Sequence, residues 1–384
     1  MTARAVAIPA TRFGERLAAA RDAMQGRGAS ALLIGVGPQL RWLTGYAARP
    51  LERLTMLVLP VDGPATLVVP RLERAPALGS PAGAAALVDV VSWDETDDPI
   101  ERVAASLPAE ADDGRLLVSD HLWAMHALAL QTRFVGATFG LASAALAELR
   151  AIKDADEIDR LRIAGAAADR VVEAIAAGRL IGRSEAEVAR EVHERLLDEG
   201  HDEAAFAIVA SGPNSASPHH EPGDRRIGAG DAIVLDIGGV LQGYCSDTTR
   251  TLWVTGDTDR PDPDFLTRYA VLQRAQAEAS AAVRPGTACE AIDARARTVI
   301  NDAGFGDCFI HRTGHGIGLE VHEDPYIVAG NHQPLRVGHA FSIEPGIYVE
   351  GRDGARIEDI VVCGTHGADA MNRSSRDLYV VSGT

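Results

Sequence analysis

The alternation of apolar and polar positions divides the chain into two halves of different texture. In the first half, residues 12–27 put Leu17, Ala20, Ala23 and Met24 at helical spacing, and Gly26 and Gly28 stop the run. Short apolar runs follow at 31–36, 54–60 and 64–70, the last two separated by the turn signal Asp62-Gly63-Pro64. Further strands are expected at 86–92 and 115–119, and a helix at 124–130. Strands alternating with helices predict a small α/β domain over residues 1–150. The segment RWLTGY (41–46) carries aromatics that look exposed; packing at a domain edge is the preferred reading, ahead of a pocket wall.

The second half, 151–384, is richer in helix. An apolar stripe runs through 150–176 by way of Ile158, Leu161, Ile163 or Ala164, and Val171 or Val172, with Asp154 or Asp156 as the cap. A second helix is expected at 184–199, where Ser184 and Glu187 form a capping box and Gly200 closes it. Two more are expected at 263–283 and 287–303, the last closed by Gly304. The fold class is α/β (α+β), in two domains.

Two strand-like segments of this half can be laid on each other. Gly230 falls on Gly338, Ala232 on Ala340, Asp236 on Glu344, Gly238 on Gly346 and Gly243 on Gly351. A second carboxylate follows in each, Asp247 and Glu358. Each copy reads as a strand, a turn and a return strand. Related by a pseudo-two-fold, the copies bring four carboxylates around one point. A carboxylate in apolar surroundings is costly unless a cation meets it, and four cannot stay ionised together without one. Two divalent metals would balance them.

The segment HRTGHGIGLEVHEDP adds His311, His315 and His322. One imidazole can ligate, and the others suit proton transfer or oxyanion stabilisation. A carboxylate-rich set with one imidazole suits manganese, cobalt or zinc, and the absence of cysteine ligands argues against a structural zinc cage. Paired divalent ions activate water and stabilise a tetrahedral oxyanion, which is hydrolase chemistry. Pro325 rules out the helix that a His-Glu zinc motif needs, and the glycines lack the spacing of a phosphate-binding loop. Upstream, the Pro/Gly-rich loop 211–224 offers His219 and His220, either of which could face the site.

Composition narrows the partners. The formal charge of −17 argues against nucleic acid or an anionic membrane. Four scattered cysteines fit a reducing cytoplasm, and neither a signal peptide nor an apolar run long enough for a membrane span is found.

Taken together, these motifs resemble the pita-bread metallopeptidases, in particular the Xaa-Pro peptidases: prolidase (Xaa-Pro dipeptidase) and aminopeptidase P. RFGERLAAARDAMQGRGASALLI and RWLTGY resemble the family's creatinase-type N-terminal domain. The resemblance implies that Asp236 chelates one metal, that Asp247 and Glu358 bridge both, and that His315 and Glu344 complete the other. It implies that Glu344 is the general base and that His219 and His322 steady the tetrahedral intermediate and move protons. His311 would shape the site around proline, Arg356 would orient a ligating carboxylate, and Tyr348 would support the metal site through its hydroxyl. One position departs from the pattern. Many prolidases carry an arginine four residues after the histidine equivalent to His322, where it holds the substrate carboxylate; here Tyr326 stands there. Arg41, Arg49 or Arg53 could replace it, reaching from a neighbouring subunit.

The expectation is therefore a dinuclear Xaa-Pro dipeptidase, with two divalent ions, manganese ahead of cobalt or zinc. Its substrates are small peptides with proline second, and its cytoplasmic homodimer is what the family implies. An Xaa-Pro aminopeptidase is the nearest alternative, a creatinase-like C–N hydrolase a more distant one, and a non-enzymatic binding module of this fold a third.

Overall fold

The computed structural model describes residues 6–255 and 260–383, and contact density groups Ala7–Arg150 as one unit and Val6 with the residues from Ala151 onward as the other. In the N-terminal unit, six strands form one sheet: β1 (Ala31–Gly35), β2 (Met56–Pro60), β3 (Thr66–Pro70), β4 (Asp89–Trp93), β5 (Arg115–Val118) and β6 (Thr138–Leu141). Their spatial order is β4-β3-β2-β1-β5-β6. β1, β2 and β3 pair antiparallel, while the flanking pairs are parallel. β1, β2 and β3 are buried along their whole length, which is why they read as unbroken apolar runs. RWLTGY is not exposed. It falls in the helix Pro38–Thr44 and the residues after it, with Trp42 and Tyr46 buried; Arg16 lies over the Trp42 ring and the Tyr46 hydroxyl donates to Glu73. Arg53 is engaged by Glu52 and Glu95.

In the second unit the helix Ala155–Ala176 starts at Asp154, and the helix Glu185–Asp198 starts at Ser184; both show complete capping boxes, with Glu157 and Glu187 reaching back. Their apolar faces (Val172, Ile175, Val188, Val192, Leu196) pack on a sheet of β7 (Glu203–Ser211), β8 (Ala232–Leu241) and β9 (Tyr244–Val254). A second helix pair, Pro263–Ala282 and Cys289–Asp302, shares its own apolar core with Phe341, Ile343 and Val361. Those residues belong to the sheet of β10 (Gly314–Gly316), β11 (Glu323–Ile327), β12 (Ala340–Ile343), β15 (Asp359–Cys363) and β16 (Ala368–Ala370). Between β12 and β15 the chain forms a separate two-stranded ribbon of β13 (Gly346–Val349) and β14 (Asp353–Arg356). β17 (Tyr379–Val381) adds to the edge of β9.

The two sequence copies thus become two hairpins, each backed by a helix pair. The matched glycines take matched roles. Gly230 and Gly338 have φ of +86° and +96°, and Gly243 and Gly351, in the turns, have +89° and +71°; only glycine enters that region without strain. The hairpins meet at one antiparallel bridge, Thr249 to Glu358. Among the described residues no helix is long and apolar enough to cross a membrane.

Candidate metal centre

Strand register places the first pair of carboxylates. Asp236 faces Thr249 and Gly238 faces Asp247 across β8 and β9. Because side chains alternate with a period of two, Asp236 and Asp247 project from the same face of the hairpin. Thr249 then ties this hairpin to the second copy. Its Oγ1 donates to Glu358 Oε2 at 2.7 Å, its carbonyl accepts from the Glu358 amide at 3.1 Å, and its Oγ1 accepts from Arg356 Nε at 3.1 Å. Glu344 follows β12 directly, where Pro345 cannot continue the ladder. Its Oε1 accepts from Ser342 Oγ at 3.0 Å and lies 3.2 Å from His315 Nε2.

His315 is carried by β10, a three-residue strand made of Gly-His-Gly. A Cβ at Gly314 would sit 1.9 Å from the Ser342 carbonyl, and one at Gly316 would sit 2.2 Å from the Asp324 carbonyl. The glycines therefore let three backbones close around one imidazole. His315 Nδ1 lies 3.1 Å from the Gly316 carbonyl, which can only accept, so Nδ1 carries the proton. Nε2 then presents a lone pair to Asp247 Oδ2 at 3.6 Å and to Glu344 Oε1. Facing oxygens of two carboxylates, that lone pair calls for a cation between them.

The charges say the same. Burial, Glu358 and the neighbouring acids push the Asp247 carboxyl far above its ordinary range; burial and Glu344 do the same to Glu358. Burial raises Asp236 as well, against the pull of Arg356. Asp236 Oδ1 and Glu358 Oε1 are buried with no hydrogen-bond partner. Ligand atoms of Asp247, His315 and Glu358 all lie within 4.8 Å of one another. Orphaned oxygens, crowded carboxylates and an available imidazole lone pair fit divalent metal. Glu344 behaves differently. Burial works to raise it, but a proton on His315 Nε2 would set an N–H and a positive charge against Glu344, and that, with His311 if protonated and Arg356, holds the carboxyl at about 2.

A line of hydrogen bonds leads away from Asp236. Arg356 Nη2 donates to Asp236 Oδ2 at 2.6 Å and Nη1 donates to the Tyr348 hydroxyl at 2.7 Å. Tyr348 Oη is 2.9 Å from His311 Nε2, and His311 Nδ1 is 2.7 Å from the Arg312 carbonyl. The carbonyl only accepts, so His311 Nδ1 donates and Nε2 takes the tyrosine proton. Burial keeps Tyr348 protonated, its pKa raised to about 12, and keeps His311 neutral by lowering it.

These groups open into a cavity of about 950 Å³ lined by Asp236, Asp247, His315, Glu344 and Glu358 together with His219, His220, His311, His322 and Arg356. His322 packs edge-on against His315 with ring centroids 4.1 Å apart. Burial first, and the nearby Arg312 charge, hold its pKa down to about 4, so it is neutral at physiological pH. Tyr348 backs the wall through Arg356 and His311, while Tyr326 does not line the cavity; its ring lies under the Arg312 guanidinium at 4.5 Å.

Two residues escaped the sequence reading. Glu185, with 0 % of its surface exposed, receives hydrogen bonds from Ser211 N and Oγ, Asn214 Nδ2, His220 Nε2 and Gly223 N. It holds the loop that carries His219, and it takes His220 as a structural partner. In sequence it is one more acid in the first turn of a helix; its partners lie 26 to 38 residues away. Arg312 is the other, a cavity-lining cation with no special spacing to announce it.

Known proteins bear directly on this geometry. Residues 159–365 match the model of metallopeptidase family M24, and residues 16–152 match the creatinase/prolidase N-terminal domain. A probable dipeptidase PepE of Mycobacterium tuberculosis is 46% identical over 370 residues, 96% of either chain. The crystal structure of dipeptidase PepE from Mycobacterium ulcerans superimposes with a TM-score of 0.91 at 47% identity, covering 98% of this chain and 100% of that one. A prolidase from Thermococcus sibiricus gives 0.88 at 34% identity, with coverage of 98% and 100%. With its creatinase-type N-terminal domain and its twofold-repeated carboxylate site, the chain belongs to metallopeptidase family M24, the pita-bread family.

Proposed function

We propose that this protein is a dinuclear metal-dependent Xaa-Pro dipeptidase that cleaves the amide bond between an N-terminal residue and proline. The observation that carries the reading is the set of four carboxylates and one imidazole on a single cavity, with buried oxygens of Asp236 and Glu358 left without a partner. The dipeptidase and prolidase names of the similar proteins favour this reading over an aminopeptidase.

Asp236, Asp247, His315, Glu344 and Glu358 would hold the two ions, and manganese is our assignment. Bound there, divalent cations lower the pKa of water and polarise the scissile carbonyl. Glu344, which follows β12 at Pro345 and lines the same cavity, takes the proton of the attacking water. His322, neutral at physiological pH, donates an N–H to the developing oxyanion, and His219 shares that load and relays the proton taken by Glu344 to the departing proline nitrogen, accepting it at one ring nitrogen as it gives one up at the other. A peptide bond to proline has no N–H, so the nitrogen must gain a proton to leave. Arg356 fixes the Asp236 carboxylate, and Tyr348 fixes His311 at the proline side. The unpaired cysteines fit the cytoplasm, and a homodimer follows the resemblance.

The test compares Ala-Pro with Ala-Pro-Ala after chelation and refilling with manganese, cobalt or zinc. Loss of Ala-Pro hydrolysis to the chelator, recovery with metal and preference for the dipeptide are expected. Preference for the tripeptide would make the protein an aminopeptidase, and turnover indifferent to chelation would overturn the metal reading.

A further inference from the structure

A dipeptidase must recognise the free carboxylate of its substrate's proline. That carboxyl carbon lies about 2.5 Å from the scissile nitrogen, two covalent bonds away. The cation that reads it therefore sits in the same cavity wall as the catalytic groups. The arginines on that wall are Arg190, Arg312 and Arg356. Arg356 is committed elsewhere: it is 2 % exposed and its donors go to Asp236, Tyr348, Thr249 and the Pro218 carbonyl. Arg190 is solvent-exposed on the helix Glu185–Asp198, beside His193 on the wall that this helix supplies.

We infer that Arg312 is the residue that binds the substrate's α-carboxylate, and that Tyr326 is the platform that aims it; the inference rests on the dipeptidase reading. Arg312 follows His311, the imidazole assigned to the proline side, and its peptide carbonyl is pinned by that ring at 2.7 Å. Its guanidinium lies over the Tyr326 ring at 4.5 Å and makes no hydrogen bond or ion pair among the described residues. Stacking uses the face of a guanidinium and leaves its in-plane N–H donors free, the arrangement that a carboxylate takes up in two parallel bonds. A tyrosine where many prolidases carry arginine is thereby accounted for: the cation has moved to position 312, and position 326 supports it. Tyr326 is a positioning residue and does not itself touch substrate.

The experiment measures kcat and KM of the metal-loaded protein on Ala-Pro and on Ala-Pro amide, which lacks the carboxylate. Arg312→Gln is expected to raise KM for Ala-Pro by about 10- to 100-fold, the scale of a hydrogen bond to a charged group, while the amide is cleaved as by the unmodified protein. Arg312→Lys should restore part of the loss, and Tyr326→Leu should give a smaller, carboxylate-specific loss. Activity on the amide serves as the control for folding and metal loading. Equal losses on both substrates, no loss on either, or a carboxylate-specific loss in Arg190→Gln with Arg312→Gln unaffected would each overturn the assignment. If the unmodified protein fails to cleave Ala-Pro, the dipeptidase reading itself falls, a result distinct from all of these.

Discussion

The two hairpins that build the metal centre share a pattern and differ in continuity. β8 and β9 run unbroken for 10 and 11 residues, and their carboxylates sit mid-strand. The second copy is interrupted at Glu344-Pro345 on the way out and at Ile357-Glu358 on the return, giving four short strands in place of two long ones. The difference separates two residues at matched positions. Asp236, locked in a ladder and gripped by Arg356, has a carboxyl raised by burial. Glu344, released from the ladder by Pro345, reaches Ser342 and His315 and is held ionised near 2. On the proposed assignment, the continuous strand presents a residue that only holds metal, whereas the broken one lets the matched position also take up a proton.

Removing Asp247, a carboxylate of the candidate metal centre, tests the rigid part hardest. Asp247→Asn should lower kcat/KM for Ala-Pro by on the order of 1,000-fold and reduce bound metal, measured by elemental analysis of the dialysed protein. If the contrast between the copies holds, Glu344→Gln should lower kcat by about 100- to 10,000-fold with KM near that of the unmodified protein; a change confined to KM would deny it the proton. Tyr348→Phe cuts the line from Arg356 to His311 and should weaken metal affinity by about 10- to 100-fold, read by titration with a chelator. The smallest effect belongs to Glu185→Gln, which should cost about 1–3 kcal/mol in urea unfolding at neutral pH. Hydrogen bonds hold the Glu185 carboxyl below its ordinary value of 4.5 against the opposing effect of burial. The unfolded chain therefore takes up this proton first as pH falls. The stability that the carboxylate confers is complete above 4.5 and is lost below it, so the gap between Glu185→Gln and the unmodified protein should close in acid.

Local signals in the sequence were sound where the structure they specify is local. Both capping boxes, at Asp154 and Ser184, form as their spacing predicts. The repeat was legible because matched glycines mark matched turns, and it carried Asp236, Asp247, Glu344 and Glu358 to one place. What stayed hidden depends on distant neighbours. Gly314 and Gly316 carry no strand-like pattern in sequence, yet they form a strand because two other backbones press within reach of their missing side chains. Trp42 and Tyr46 looked exposed because their covering partners, Arg16 and Glu73, lie 26 and 27 residues away. Glu185 resembled an ordinary first-turn acid, and nothing near it in sequence announces the loop it clamps. Tyr326 was recognised as unusual, but its meaning needed Arg312, which meets it only once the chain has folded.

The hydrogen-bonded line from Asp236 ends on a carbonyl oxygen, that of Arg312, and not on its side chain. If Arg312 reads the substrate carboxylate as proposed, anchor and reader are separate parts of one residue. The peptide is clamped to the cutting machinery, while the group beyond its Cβ is interchangeable. On that proposal, position 312 is a place where selection or a designed library would rewrite what the enzyme recognises while its blade stays set.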